Sequence, residues 1–332
     1  MKKLLIIGQG DIGINVQDVE RFGIDEVQNL TMDEFAARDD FADCIIMKGL
    51  TETSDFMRRV LQINKSFGGG FISHCGVFRV GADIIRPVGR EATDKSVAPV
   101  GSMGQIISAP TDYKYAPLRK PFILTDSALN IAPTLTEKEG LTKNAIFLAR
   151  KLGLGESNSP PARESAKQGA PAVEPVGGKI NFESLPPTAS RCAMLALCDS
   201  PAGGELEPQN NLTINFLTPS SKIDPKIKSS MDAAELEKYV AENFPGVTAT
   251  HNALDVCFTD SAEKKNIANA PRPDILICDN IDQANSLYKS LTIFAGFMVA
   301  GFIVGNENLP PVILTSRSDT KECKLWSVEL VA

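Results

Sequence analysis

The chain has 332 residues, 43% of them hydrophobic and 23% charged, an ordinary globular composition whose length suggests about two domains. A formal net charge of −7, without any block of lysine and arginine, argues against a nucleic-acid partner and leaves room only for a local anion pocket. The seven cysteines are dispersed and form no CxxC pair, and the histidines are only His74 and His251, so a reduced, cytoplasmic protein without a metal site is expected.

Lys3 to Ile7 reads as a strand, and the apolar part of the N-terminal MKKLLIIG is too short for a signal peptide. Gly8-Gln9-Gly10-Asp11-Ile12-Gly13 follows and matches G-x-G-x-x-G, a dinucleotide fingerprint if a helix comes next. Residues 14–19 alternate in a way that suits strand or helix, so a plain glycine turn competes with a nicotinamide site. Residues 42–47 form a second strand ending in Lys48-Gly49. Phe56, Met57, Val60 and Leu61 then recur at helical spacing behind the caps Thr51, Thr53 and Ser54. Ser54 and Arg58 stand one turn apart off that stripe, where they offer a hydroxyl and a guanidinium to an anion or simply face water.

Gly68-Gly69-Gly70 turns the chain into a strand over 71–80, and residues 81–120, rich in Pro, Gly, Ser and Thr, read as an excursion. A strand over 122–126 leads through Asn130 and Pro133 to a capping box of Thr136 and Glu139. The helix behind it carries Leu141, Ala145, Leu148, Ala149 and Leu152 and stops at Gly153. Residues 155–190 are proline-rich and without an apolar face, which predicts a flexible surface loop. Strands over 193–198, 212–217 and 274–278 alternate with a helix over 233–240 and a long one marked by Ile281, Ala284, Leu287, Tyr288, Leu291 and Ala295, with Asp282, Asn285 and Lys289 on its other faces. Residues 291–305 are the most apolar stretch, too short to span a bilayer and better read as a helix passing into a strand. The alternation predicts an α/β fold with a largely parallel sheet and ligands at the strand ends.

Pro310 and Pro311 introduce a short strand over 312–314, and Thr315-Ser316-Arg317-Ser318 forms a loop. Asp319 and Glu322 stand at capping-box spacing, with Leu325, Val328 and Val331 behind them, which predicts a helix from Asp319 to the end. An arginine just before a helix N-terminus is a phosphate-site candidate, because unpaired N–H groups, the helix dipole and a planar guanidinium all favour the anion. The alternative is that Asp319 only caps and Arg317 is a solvated loop charge.

The pieces IIMKGLTETSDFMRRVL, GGGFISHCGVF, FILTDSALNIAPTLTEKEGLTKNAIFLARKLGL, ICDNIDQANSLYKSLTIFAG and PVILTSRSDT resemble, in order, the phosphate acetyltransferase and phosphate butyryltransferase family, the butyryl branch more closely. The resemblance implies a two-domain α/β/α fold like that of the isocitrate and isopropylmalate dehydrogenases, with the active site in the interdomain cleft and a homodimer. It assigns residues 1–133 with 309–332 to one domain and 134–308 to the other. It also implies acyl transfer between coenzyme A and phosphate, with acyl-CoA and phosphate as partners and no metal, redox cofactor, nucleic acid or membrane. Ser316 and Arg317 fall on the family's Ser-Arg pair and Arg58 on the arginine of its SD-x-x-R helix, and both arginines would hold the phosphoryl group. Lys48, Ser54 and Asn130 join the substrate-binding set. Asp319, with Glu322 second, would take the thiol proton, since Cys323 stands where the acetyl branch has its acid. A CoA or acyl-phosphate binding homologue without catalysis, and a nicotinamide-dependent oxidoreductase using residues 8–13, are the alternatives.

Overall fold

The computed structural model describes residues 2–8, 12–80, 121–155, 211–258, 273–316 and 319–332. Outside them lie Gly10, the excursion at 81–120, nearly all of the 155–190 loop, the strand expected at 193–198, and Arg317 itself.

Strands β1 (Lys3–Ile7), β2 (Glu26–Leu30), β3 (Cys44–Lys48), β4 (Ser73–Val80), β5 (Phe122–Thr125), β6 (Leu212–Leu217), β7 (Val247–Asn252), β8 (Ile275–Ile277), β9 (Phe297–Val304) and β10 (Val312–Ile313) join in one sheet. Its order is β2-β1-β3-β10-β9-β4-β5-β8-β6-β7. Six of the nine pairings are parallel, so the sheet is mostly parallel as its alternating elements imply. The three antiparallel pairings sit together at the centre, where β9 and β4 separate two parallel quartets. Because the direction reverses across that centre, β2-β1-β3-β10 and β5-β8-β6-β7 present their carboxyl ends at opposite edges.

Among the described residues the α-helices are α1 (Val16–Val19), α2 (Met32–Ala37), α3 (Thr53–Ser66), α4 (Leu135–Lys151), α5 (Lys228–Asn243), α6 (Leu254–Phe258), α7 (Ile281–Lys289) and α8 (Lys321–Glu329). Alternation along the strands decides which face each helix covers. On one face Ile6, Met47, Cys75, Phe302 and Ile313 pack with residues of α4, α5 and α8, including Ala145, Leu236 and Trp326. On the other, Leu5, Ile46 and Val312 pack under Phe35 of α2 and Phe56 and Val60 of α3, and Phe78, Leu124 and Leu276 under Ala284 and Tyr288 of α7. Burial of this kind contributes about 25 cal/mol per Å² of apolar surface, the main force closing the layers.

Several local expectations shift. The glycine turn leads into a helix of only four residues, capped by Asn15 and Asp18. Gly8 has φ +127°, and a Cβ there would lie 2.7 Å from the Leu50 carbonyl carbon, so close chain packing already requires a glycine. The capping box of α4 is Thr134 with Glu137, two residues before the one expected, because Thr134 keeps the extended backbone from which its hydroxyl reaches the Glu137 amide. The helix expected through Ala295 ends at Lys289 and passes into a single π turn, Ser290–Phe294, which leaves Ile293 and Phe294 exposed. Thr320, not Asp319, caps α8: its hydroxyl accepts from the Cys323 amide at 3.3 Å, while the Asp319 carboxylate turns back to the loop. No helix among the described residues is long and apolar enough to cross a membrane.

Candidate active site

The site is built where β10 leaves the sheet. Leu314 donates its N–H to the Gly301 carbonyl at 2.9 Å, and its own carbonyl accepts from His74 Nε2 at 3.3 Å. That approach needs a glycine at 301, since a Cβ there would stand 2.2 Å from the Leu314 oxygen and 3.1 Å from His74 Nε2. A carbonyl cannot donate, so the His74 proton is on Nε2 and Nδ1 accepts from the Ser127 hydroxyl at 2.9 Å. Burial pushes His74 below the ordinary imidazole range, against the pull of the Asp126 carboxylate, which keeps this neutral tautomer.

Asp126, also buried, ties the adjoining loop. One oxygen accepts the amides of Ala128 and Leu129, both at 2.9 Å; the other accepts the His74 amide at 3.1 Å and Asn130 Nδ2 at 2.6 Å. Asn130 gives a further bond to the Ile72 carbonyl at 3.2 Å, so its amide nitrogen serves this loop.

Beyond Leu314 the chain forms a turn. Ser316 donates its amide to Asp319 Oδ2 at 2.6 Å, and Asp319 returns its amide to the Ser316 carbonyl at 3.1 Å, so these two residues are tied to each other. Two neighbours on α7 grip the same turn. Tyr288 donates its hydroxyl to Asp319 Oδ2 at 3.2 Å, and Lys289 donates to Ser316 Oγ at 3.0 Å. Burial pushes the Asp319 carboxyl above its usual range, although the Ser316 amide, the Tyr288 hydroxyl, Lys289 and Lys324 pull it down. The same burial, with the Asp319 charge beside it, pushes the Tyr288 phenol up. The turn therefore combines a hydroxyl beside an ammonium with a carboxyl that holds its proton more tightly than an exposed aspartate.

The remaining sequence candidates divide. Lys48 is buried at the end of β3, one residue past the Met47 and Ile313 pairing, with Nζ 3.4 Å from the Gly49 carbonyl oxygen. Ser54 is exposed on α3. Arg58, with 71% of its side chain exposed, pairs with Asp55 at 3.0 Å and is not brought to Ser316. Glu322 is exposed, and hydrogen bonds from its own amide and from Thr320 hold its carboxyl below the usual range, which makes it a weaker base than Asp319. Cys323 is buried and lies near enough to Tyr288 to raise the phenol. Tyr288, Lys289 and His74 escaped the reading of the sequence as site residues. Tyr288 passed as one more apolar stripe position, and only its hydroxyl hinted at a partner.

This fold is that of the phosphotransacylases. The crystal structure of a branched-chain phosphotransacylase from Enterococcus faecalis V583 matches with a TM-score of 0.62 and 21% identity, covering 100% of this chain and 98% of its own. In sequence the chain is similar to phosphate butyryltransferase and phosphate acetyltransferase. It is 25% identical to the phosphate butyryltransferase of Clostridium beijerinckii, across 97% of this chain and 78% of that protein. The phosphate acetyltransferase of Thermotoga maritima is 36% identical across 33% of this chain and 38% of its own length. No family model matches the chain.

Proposed function

We propose that the protein is a phosphate acyltransferase that moves a short acyl group between coenzyme A and inorganic phosphate. The observation that carries this is the Ser316–Asp319 turn, in which a hydroxyl held by Lys289 adjoins a carboxyl of raised proton affinity. In the direction from acyl phosphate, the CoA thiol, with an ordinary pKa of about 8.5, gives its proton to Asp319. The thiolate attacks the acyl carbon, the C–S bond forms, and the C–O bond to phosphate breaks. The proton then passes from Asp319 to the departing phosphate. Arg317, two residues from Asp319, would stabilise the charge that develops on the tetrahedral intermediate and on phosphate. These steps call on no metal or redox cofactor.

In the same reading, residues 1–133 with 309–332 form one lobe and 134–308 the other, an arrangement like that of the isocitrate and isopropylmalate dehydrogenases with substrates entering between them. Its support is that Ser316 and Asp319 come from the first segment and Tyr288 and Lys289 from the second. A cytoplasmic homodimer completes the proposal. The buried thiol of Cys323, where the acetyl branch carries its acid, favours a second reading, a CoA or acyl-phosphate binding protein without turnover. A thiol-release assay with acetyl-CoA, butyryl-CoA and longer acyl-CoAs, with and without phosphate, separates the two. Phosphate-dependent release supports the transferase, and no release from any of them would leave only binding.

A further inference from the structure

The resemblance places a second phosphate-binding cation on α3, at Arg58, but that guanidinium points to solvent and is neutralised by Asp55. The cation that does touch the Ser316–Asp319 turn is Lys289. It is half-buried at the end of α7, and its ammonium stands 5.5 Å from the centroid of the Tyr288 ring. Its Nζ donates to Ser316 Oγ at 3.0 Å, and it lies near enough to Asp319 to act on that carboxyl. An ammonium carries three N–H donors with no fixed plane, so one can hold the serine while another reaches an oxygen of a group resting on the same hydroxyl.

We infer that Lys289 is the second cation of the phosphate subsite, binding inorganic phosphate, or the phosphoryl end of an acyl phosphate, together with Ser316. The inference rests on the proposed reaction and names a binding residue within it. Coenzyme A also carries phosphates, so the test must separate the two sources.

Steady-state kinetics of Lys289→Gln and Lys289→Arg, with phosphate and CoA varied in turn, do so. Loss of a charge-assisted contact should raise the KM for phosphate about tenfold to a hundredfold in Lys289→Gln, with the KM for CoA within about threefold of wild type. Lys289→Arg, which restores the charge, should recover most of the phosphate affinity. A wild-type phosphate KM in Lys289→Gln, or a rise confined to CoA, would overturn the inference. Thermal melting with inorganic phosphate alone is the second readout: phosphate should raise the Tm of the wild type and not that of Lys289→Gln. This arm holds even if no acyl-CoA releases thiol, an outcome that would sink the proposed reaction, and equal phosphate shifts in both proteins would sink the role of Lys289.

Discussion

Two stretches of the sequence offer a hydroxyl and a cation at spacings that suit an anion: Ser54 and Arg58, on α3, and Ser316 and Arg317, after β10. In the first, the helix buries Phe56, Met57 and Val60, which turns Ser54 and Arg58 outward, and Asp55 satisfies the guanidinium locally. In the second, the chain leaves the sheet beneath another helix, and Tyr288 and Lys289 converge on Ser316 and Asp319. The difference lies in what stands opposite. An exposed i,i+3 ion pair contributes little and recruits nothing, whereas a turn clasped from a second element gains desolvated, directed groups.

Arg317 should show the largest effect in either region. Arg317→Lys keeps the charge but loses the planar fork, so the rate should fall on the order of 10²-fold to 10³-fold with the fold intact. Steady-state rates beside a circular dichroism melt would show it, and a loss of less than about tenfold would place Arg317 outside the chemistry.

Gly301→Ala attacks the support of the turn. Its Cβ would meet the Leu314 oxygen at 2.2 Å, and backbone cannot step aside as a side chain can. Overpacking of this kind costs about 1–3 kcal/mol, to be read from urea midpoints, and activity should fall further than stability because the Leu314 carbonyl carries the turn.

Acid should loosen the same region. The unfolded chain protonates His74 below about pH 6.5, while burial holds the folded imidazole neutral to lower pH, so the unfolded state binds more protons there and stability declines as pH falls. The slope from this residue is at most about 1.4 kcal/mol per pH unit, and His74→Gln should remove it. Urea unfolding of both proteins at pH 7.5 and 5.5 would measure the difference. Equal pH dependence would mean that His74 takes up its proton in the native state.

The smallest effect belongs to α3. Arg58→Ala should change stability by less than about 1 kcal/mol, since it breaks only an exposed pair. Its expected effect on catalysis is a modest rise in the phosphate requirement. A phosphate KM raised as far as in Lys289→Gln would show that Arg58 takes as large a part in phosphate binding as Lys289.

Much of the fold was legible because it is written in local pattern. Lys3–Ile7 is apolar after its first residue, Leu212–Leu217 sets Leu212, Ile214 and Phe216 in alternation with Thr213 and Asn215, and the bounds of both come out as read. Glu26–Leu30 and Val247–Asn252 escaped because they are the edge strands, half-exposed and mixed in polarity, and so lack a buried face to impose alternation. The antiparallel centre of the sheet was equally hidden, since pairing between β4 and β9 joins residues more than two hundred positions apart. In the site, Ser316 and Asp319 could be found from a loop before a helix. Lys289 and Tyr288 could not, because their bonds span 27 and 31 residues and depend on how α7 lies over the sheet. His74 reaches Leu314 across 240 residues.

In the proposed reaction Asp319 carries the thiol proton. Asparagine keeps an oxygen for the Ser316 amide and Tyr288 hydroxyl, and it removes a charge that burial disfavours in the folded state, so Asp319→Asn should stay within about 1 kcal/mol of wild-type stability at pH 7. Phosphate-dependent thiol release measured at equal folded fraction should nevertheless drop about 10²-fold to 10⁴-fold, because an amide cannot accept that proton. A fully active, equally stable Asp319→Asn protein would show that the carboxylate only ties the turn.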